Sequence, residues 1–582
     1  MKQVFFYFSF FIIFYSCEKK SDEVTQDFPT TFEISNGTQT PTYEEVIAFY
    51  KALAKEFPEL NLQTIGETDS GNPLHIVTYN EEANFNFSKI GEENTIVLIN
   101  NGIHPGESDG IDATMMLFRD LASGKIKPLK KTVVVSIPIY NVGGALNRNS
   151  HSRANQNGPV SYGFRGNSRN YDLNRDFIKS DTKNARTFAQ IFHLVKPDVF
   201  IDNHVSNGAD YQYTLTHLFT QHNKLGGELG TYLNNSLMPA LQDSLAISGW
   251  DITPYVNVFN KPPEIGFQQF MDHPRYSTGY TTLWNTLGMM VETHMLKPYQ
   301  QRVAGTYELM KKMIAITEND GEKIKQLRAE ANQRYLNKAY YPVQWQVDTT
   351  KTTQLNFKGF KADTIISKVT GFPRLQFNRE LPFTKKVSYQ NYFTPTDSVR
   401  IPEAYIIPKQ WTKVTHLLNL NGITYTEVKN DTLLEVASYR IKNYNTVENP
   451  YEGHYLHYNT KVSTNLKSVE FKKGDLWVPT NQLGFRYILE TLEPTAQDSF
   501  FNWNFFDTIL QQKEGFSPYV FEDTALDMLE TNPRLKSEFQ LKKENDIKFS
   551  NNWYAQLEWL FKKSKHYEKA HLQYPVFRVL KN

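Results

Sequence analysis

The chain has 582 residues, long enough for a large buried core and more than one domain. Its 63 Lys and Arg residues against 62 Asp and Glu leave a formal charge of +1, which gives no basis for nucleic-acid binding. Hydrophobic residues at 40% and aromatic residues at 14% exclude a disordered chain, and the single cysteine excludes an internal disulfide.

The first element is an apolar run, VFFYFSFFIIFY, residues 4–15, behind Lys2. It is too short to cross a bilayer but suits the core of a signal peptide. It ends at Ser16–Cys17, a pairing that resembles a bacterial lipoprotein signal in which Cys17 becomes the lipidated first residue. Phe14 and Tyr15 depart from the small or aliphatic residues of that motif. The expectation is a signal over 1–17, a polar tether over 18–40, export, and attachment to a membrane through lipid, in the periplasm or on the outer cell surface.

From Pro41 the apolar spacing of Val46, Tyr50, Leu53 and Phe57 predicts a helix. Strands are predicted at LHIVTYN and TIVLIN, followed by the loop NGIHPGES and a helix through Ile111, Met115, Phe118 and Leu121. TVVVSIPIYN is another buried strand. A long polar stretch rich in Gly, Asn and Arg runs from Asn141 to Phe177, and loops of such length inside a compact domain are usually functional or disordered. The helical NARTFAQIFHLV and the strand DVFIDNH follow. Alternating strands and helices predict an α/β domain on a parallel or mixed sheet. A helical pattern returns near Tyr299. Beyond about Tyr340, short alternating runs predict a second, mainly β domain with helical pieces at FRYILETLE and WYAQLEWLFKK.

A lone His–x–x–Glu, here His104 and Glu107, most often belongs to an ordinary turn. Its company changes the reading. His204 closes the strand DVFIDNH, and sites in open α/β sheets lie beyond the carboxyl ends of strands. Two imidazoles and a carboxylate converging there make a catalytic zinc set with a fourth position left for water. With no thiolate after Cys17, such a site has only His, Asp and Glu to draw on. Glu292 sits in the apolar run LGMMVETHML, where a carboxylate is costly without a partner or a task, and is the candidate proton acceptor. His294, two residues on, is read as a hydrogen-bonding neighbour. Arg148, Arg153, Arg165, Arg169 and Arg175 of the polar loop are candidates for holding a carboxylate or an oxyanion, with at least two of them expected to be merely solvated.

In this order the motifs resemble the M14 family of zinc carboxypeptidases, over about Pro41 to Leu296. NNGIHPGES is similar to the family's metal motif, YDLNRDF to its Asn–Arg substrate motif, FIDNH to its third ligand and MMVETH to the strand of its catalytic glutamate. The resemblance implies a mixed sheet flanked by helices over 41–335, with a β-rich region of unknown role over 340–582. It implies one zinc ion held by His104, Glu107 and His204, and Glu292 as general base and then acid. It further implies that Asn174 and Arg175 hold the terminal carboxylate of a peptide substrate. For the oxyanion, Arg153 is the first choice and Arg165 the second. For the family's mobile tyrosine, Tyr280 is narrowly preferred to Tyr276. NVGG departs from the family's usual Asn–Pro–Asp–Gly turn. Residues 275–290 would line the specificity pocket without a decisive charge, and Leu283 and Trp284 fit an apolar wall or core packing equally well. The same apparatus also fits an amidase acting on peptidoglycan stem peptides or N-acyl amino acids. A non-catalytic binding protein would have no need of Glu292.

Overall fold

A computed structural model describes residue 1, residues 27–336 and residues 338–581, so the expected signal, Cys17 and the first part of the tether lie outside the described residues. Residues 27–40 are not a free tether. Phe28 and Phe32 are buried, packing on Phe57 and Tyr299, and Arg119 binds both the Phe28 carbonyl and the Glu33 carboxylate. Two phenylalanines in this otherwise polar stretch have enough apolar surface to dock it.

Nine strands precede the long helix Tyr299–Gln333: β1 (Leu60–Glu67), β2 (Pro73–Tyr79), β3 (Thr95–Asn100), β4 (Thr132–Ile137), β5 (Val199–Ser206), β6 (Leu215–Phe219), β7 (Ile252–Pro254), β8 (Phe267–Gln268) and β9 (Leu287–His294). All but β8 form one mixed sheet in the order β1-β2-β4-β3-β5-β9-β6-β7. Its centre is parallel, β4 to β3, β3 to β5 and β5 to β9. β3, β4 and β5 are buried at every residue, which explains the apolar runs of β3 and β4 in place of an alternating pattern. Helices Asp109–Ala122, Lys183–Val195 and Tyr299–Gln333 pack against this sheet, the first burying Ile111, Met115, Phe118 and Leu121 as the spacing predicts. This is the carboxypeptidase-like α/β architecture expected from the motifs.

Two glycines place the turn after β3. Gly102 has φ +64°, where a side chain is strained. At Gly110 a Cβ would sit 2.3 Å from the Asn203 Cβ, so only glycine lets the helix following the motif lie directly on β5.

The second half opens with β10 (Tyr340–Val347), β11 (Thr353–Ile366), β12 (Pro373–Gln390) and β13 (Phe393–Arg400). β11 and β12 form a long hairpin, and β8 pairs in parallel with the end of β12. A six-stranded sheet follows, built from β14 (Ala404–Ile407), β15 (Thr426–Glu427), β16 (Thr432–Thr446), β17 (His457–Phe471), β18 (Leu476–Pro479) and β19 (Phe577–Val579). Helices at Phe485–Leu492 and Trp553–Phe561 lie where the sequence places them. Two more, Pro518–Thr531 and Pro533–Asn545, do not follow from that reading. Their prolines look like breakers in the sequence but occupy the first helical position, where the missing N–H costs nothing. One apolar core runs continuously from Phe28 to Val576 and so belongs to both halves. Among the described residues no helix is long and apolar enough to cross a membrane.

Candidate metal and catalytic site

The parallel register of the central strands brings the site together. His204 on β5 stands directly beside Glu292 on β9, and Asn100 at the end of β3 stands beside Asp202. The turn leaving β3 therefore delivers His104 and Glu107 onto the same edge. His104, Glu107 and His204 are each 3% exposed, and one ligand atom from each lies within 4.8 Å of the others.

The imidazoles are oriented from behind. His104 Nε2 is 2.9 Å from Asp172 Oδ1, and His204 Nε2 is 2.9 Å from Asp202 Oδ2. A carboxylate at Nε2 selects the tautomer that leaves Nδ1 with its lone pair free. Both Nδ1 atoms face Glu107, at 3.3 Å from Oε1 and 3.1 Å from Oε2. His104 Nδ1 is buried and makes no hydrogen bond. A buried acceptor without a donor is costly unless something electron-poor meets it. This nitrogen, the His204 Nδ1 at 3.1 Å from Glu107 Oε2, and the carboxylate between them, with a wall open to the cleft, fit a metal ion with a free coordination position.

The electrostatics agree with that donor set. Burial alone would raise the Glu107 carboxyl, but Arg153 and His104 outweigh it and hold it well below the usual range. Burial also opposes ionisation of Asp172, and is overcome by His104 and by Arg165, which keep it strongly acidic. Glu292 behaves oppositely. Removal from water pushes it up to about 7, with Glu107 and Asp202 adding to the rise and His204 opposing it. Side by side stand one carboxylate fixed in its charged form and another poised to exchange a proton near neutrality.

A cleft of about 440 Å³ opens over this group, lined by His104, Glu107, His204 and Glu292 together with Arg165, Asn174, Arg175 and Tyr276. Its remaining walls include Leu218, Tyr255, Phe270 and Met290. Asn174 is held by Ser277, whose amide donates to Asn174 Oδ1 at 3.2 Å, and the Arg175 guanidinium lies 4.7 Å from the Tyr276 ring centre.

Four expectations change in the structure. Arg153, the first choice for the oxyanion, lies outside this cleft. It donates to Glu107 Oε1 at 2.8 Å from a neighbouring cavity and is tied to Gln156, so its guanidinium is committed to a metal ligand. Arg165 lines the cleft, paired through Nε and Nη2 with Asp172. Tyr280 does not reach the cleft. It is 1% exposed, packed among Phe177, Phe188 and Phe192, with its hydroxyl bonded to Asn421, because the short helix Ser277–Thr282 turns it into the core. Leu283 is likewise core and Trp284 stacks on Tyr487, so neither walls the cleft. Arg148 and Arg169 lie away from it too, though neither is simply solvated: Arg148 donates to the carbonyls of Thr40, Pro41 and Ser161, and Arg169 lies over Tyr171. His294 pairs with Asp210, outside the metal cluster. Asp172 and Asp202 are site residues the sequence reading passed over, although both lie two positions before a residue it singled out.

Sequence comparison finds a related family over part of this fold. Residues 46–198 match the family model for peptidase M14, described as zinc carboxypeptidase, a span that includes His104, Glu107, Asp172, Asn174 and Arg175. Residues 46–198 are thus similar to the zinc carboxypeptidase domain of that family. Among solved structures it is similar to a metallo-carboxypeptidase from Burkholderia cenocepacia, at 15% identity and TM-score 0.36 over 48% of this chain and 70% of that one. Carboxypeptidase A from Helicoverpa armigera matches at 14% identity and TM-score 0.37, over 48% and 74% of the two chains. Bovine thrombin-activatable fibrinolysis inhibitor matches at 12% identity and TM-score 0.34, over 50% and 98%. No curated protein sequence matches the chain.

Proposed function

We propose that the protein is a zinc metallocarboxypeptidase that removes the terminal residue of peptides bearing a free carboxylate. The observation that carries this reading is the pairing of a three-residue donor set with Glu292, one strand position away, on a cleft that also presents Asn174 and Arg175. Zinc held by His104, Glu107 and His204 supplies Lewis acidity toward water and a carbonyl oxygen at neutral pH.

The chain's own residues do the rest. Arg175, with its planar fork, and Asn174 bind the substrate's terminal carboxylate, and Tyr276 covers the Arg175 face. Leu218, Tyr255, Phe270 and Met290 favour an apolar terminal side chain. Glu292 takes a proton from the attacking water and returns it to the departing amine nitrogen. Arg165, anchored on Asp172, directs its positive charge to where the carbonyl oxygen gains negative charge. Export and lipid attachment at Cys17 rest on the sequence alone and belong to the same proposal. Cys17→Ser should release the protein or block its processing.

The test combines metal analysis of purified protein with hydrolysis by Glu292→Gln. The expected result is one zinc per chain, retained in the variant, with turnover lowered by about 100-fold or more. Near-normal turnover in the variant would remove Glu292 from the proton-transfer role. Release of amino acids from muropeptides but from no linear peptide would favour the amidase reading.

A further inference from the structure

The wall of the cleft that carries Tyr276 is built by the first half but held by the second. Arg275, its immediate neighbour, points away from the cleft into a socket made by residues beyond 450. Asp498, with no exposed surface, accepts from the Arg275 backbone amide at 2.8 Å and from Nε at 2.9 Å, and meets Nη2 at 2.6 Å. The guanidinium lies 5.1 Å from the Trp503 ring centre and 5.5 Å from that of Tyr451. A planar cation gripped at its edge by one carboxylate and flanked by two aromatic rings has little freedom left.

The consequences reach the site in one residue step. With Arg275 fixed, the backbone carries Tyr276 onto Arg175 and aims the Ser277 amide at Asn174. A second contact from the same region acts on the opposite side, where Glu452 Oε2 accepts from the Asp172 amide at 2.8 Å. Further along the segment, Tyr280 bonds Asn421 at 2.6 Å and Arg486 donates to Asn285 Oδ1 at 3.0 Å. None of these second-half residues lines the cleft. They grip the segment that does.

We propose that Asp498, acting through Arg275, is a positioning residue for the carboxylate-binding wall, so that the second half completes the substrate site. This rests on the carboxypeptidase reading above. In that geometry the Tyr276 segment is set before substrate arrives, whereas the family resemblance would have a tyrosine swing in with it. Loss of the socket loosens substrate binding and leaves the proton-transfer group and metal ligands in place.

The experiment uses the zinc-loaded full chain, with benzoyl-Gly-Phe as substrate and 3-phenylpropionate as a non-hydrolysable carboxylate probe followed by calorimetry. Asp498→Asn should raise KM by about tenfold with kcat within about threefold of wild type, and weaken the probe by a similar factor at unchanged zinc content. Trp503→Phe, which keeps a ring over the guanidinium, should behave as wild type, and Tyr451→Leu should show a smaller rise in KM. The Tyr451 and Trp503 variants carry the test if Asp498→Asn does not fold. A folded Asp498→Asn with unchanged KM and unchanged probe affinity overturns the proposal, as does a loss confined to kcat. A wild-type enzyme that hydrolyses no peptide would defeat the functional reading instead, while probe affinity would still decide the role of Asp498.

Discussion

The two halves of this chain bury polar groups for different ends. In the first, several ionisable side chains converge on a cleft, where Asp172 and Asp202 stand behind the imidazoles and Glu292 faces open space, although others, such as Arg302 with Asp109, pair within the core. In the second, the buried ionisable groups turn away from solvent and toward neighbouring structure. Asp498 meets Arg275, Glu490 meets Tyr341 and Lys224, and Glu493 meets Arg578 and Tyr405. The surfaces differ in the same way. β3 to β5 are wholly covered, whereas most of β12 is open, and Val369 and Phe372 near the hairpin turn are 94% and 72% exposed. The comparison teaches that the first half gathers its ionisable groups around a cleft while the second half spends many of its own on contacts between elements.

The sharpest way to break that comparison lies among the arginines of the first half. Arg165→Ala should lower kcat by about 100-fold, the usual effect of removing a donor from developing charge. Arg153→Ala should act on zinc affinity through Glu107 instead, weakening it by about 10-fold to 100-fold. Steady-state kinetics with titrated zinc separates the two, and interchanged outcomes would restore Arg153 as the oxyanion group.

A change in the second half tests whether the shared core makes one cooperative unit. Leu489 is fully buried in the helix Phe485–Leu492, and Leu489→Ala should cost about 2–5 kcal/mol. Calorimetry should show a single transition moved to lower temperature. A new early transition that leaves peptide hydrolysis intact would mean that the halves unfold separately.

The last expected effect concerns a buried acid of the first half that has no part in the chemistry. Burial pushes Asp112 up to about 7, against the hydrogen bond donated by Tyr299. Its ordinary value is 3.8, so between about pH 4 and 7 the folded protein binds the extra proton. Asp112 therefore adds stability at acid pH that is lost as pH rises through that window, by up to about 1.4 kcal/mol per pH unit. Asp112→Asn should flatten this part of the denaturation profile and gain relative to wild type above pH 7. A parallel profile for the two proteins would contradict the assignment.

How much of this was legible beforehand depends on what fixes each side chain. His204 and Glu292 stand on strands, where alternation sets the face of each side chain, while the parallel register that makes them neighbours was supplied by the structure. His104 and Glu107 follow a strand end at a glycine turn, which is nearly as determinate. Arg153, Arg165, Tyr276 and Tyr280 stand in loops or at a short helix, where no periodicity says which way a side chain points. There the sequence ranked Arg153 over Arg165 and Tyr280 over Tyr276, and the cleft contains the second of each pair. Asp498 lies more than two hundred positions from Arg275, and no local signal links them. The buried strands of the first half announced themselves by composition, while the helices Pro518–Thr531 and Pro533–Asn545 were not picked out from the sequence.

The carboxylates behind the two imidazoles have one more consequence. Small zinc domains commonly need the ion in order to fold at all. Here each ring is already pinned at its far nitrogen by a side chain that the sheet or a neighbouring loop holds in place. Under the zinc reading proposed above, the orientation of both rings is therefore set by the scaffold's own carboxylates and not by the ion alone.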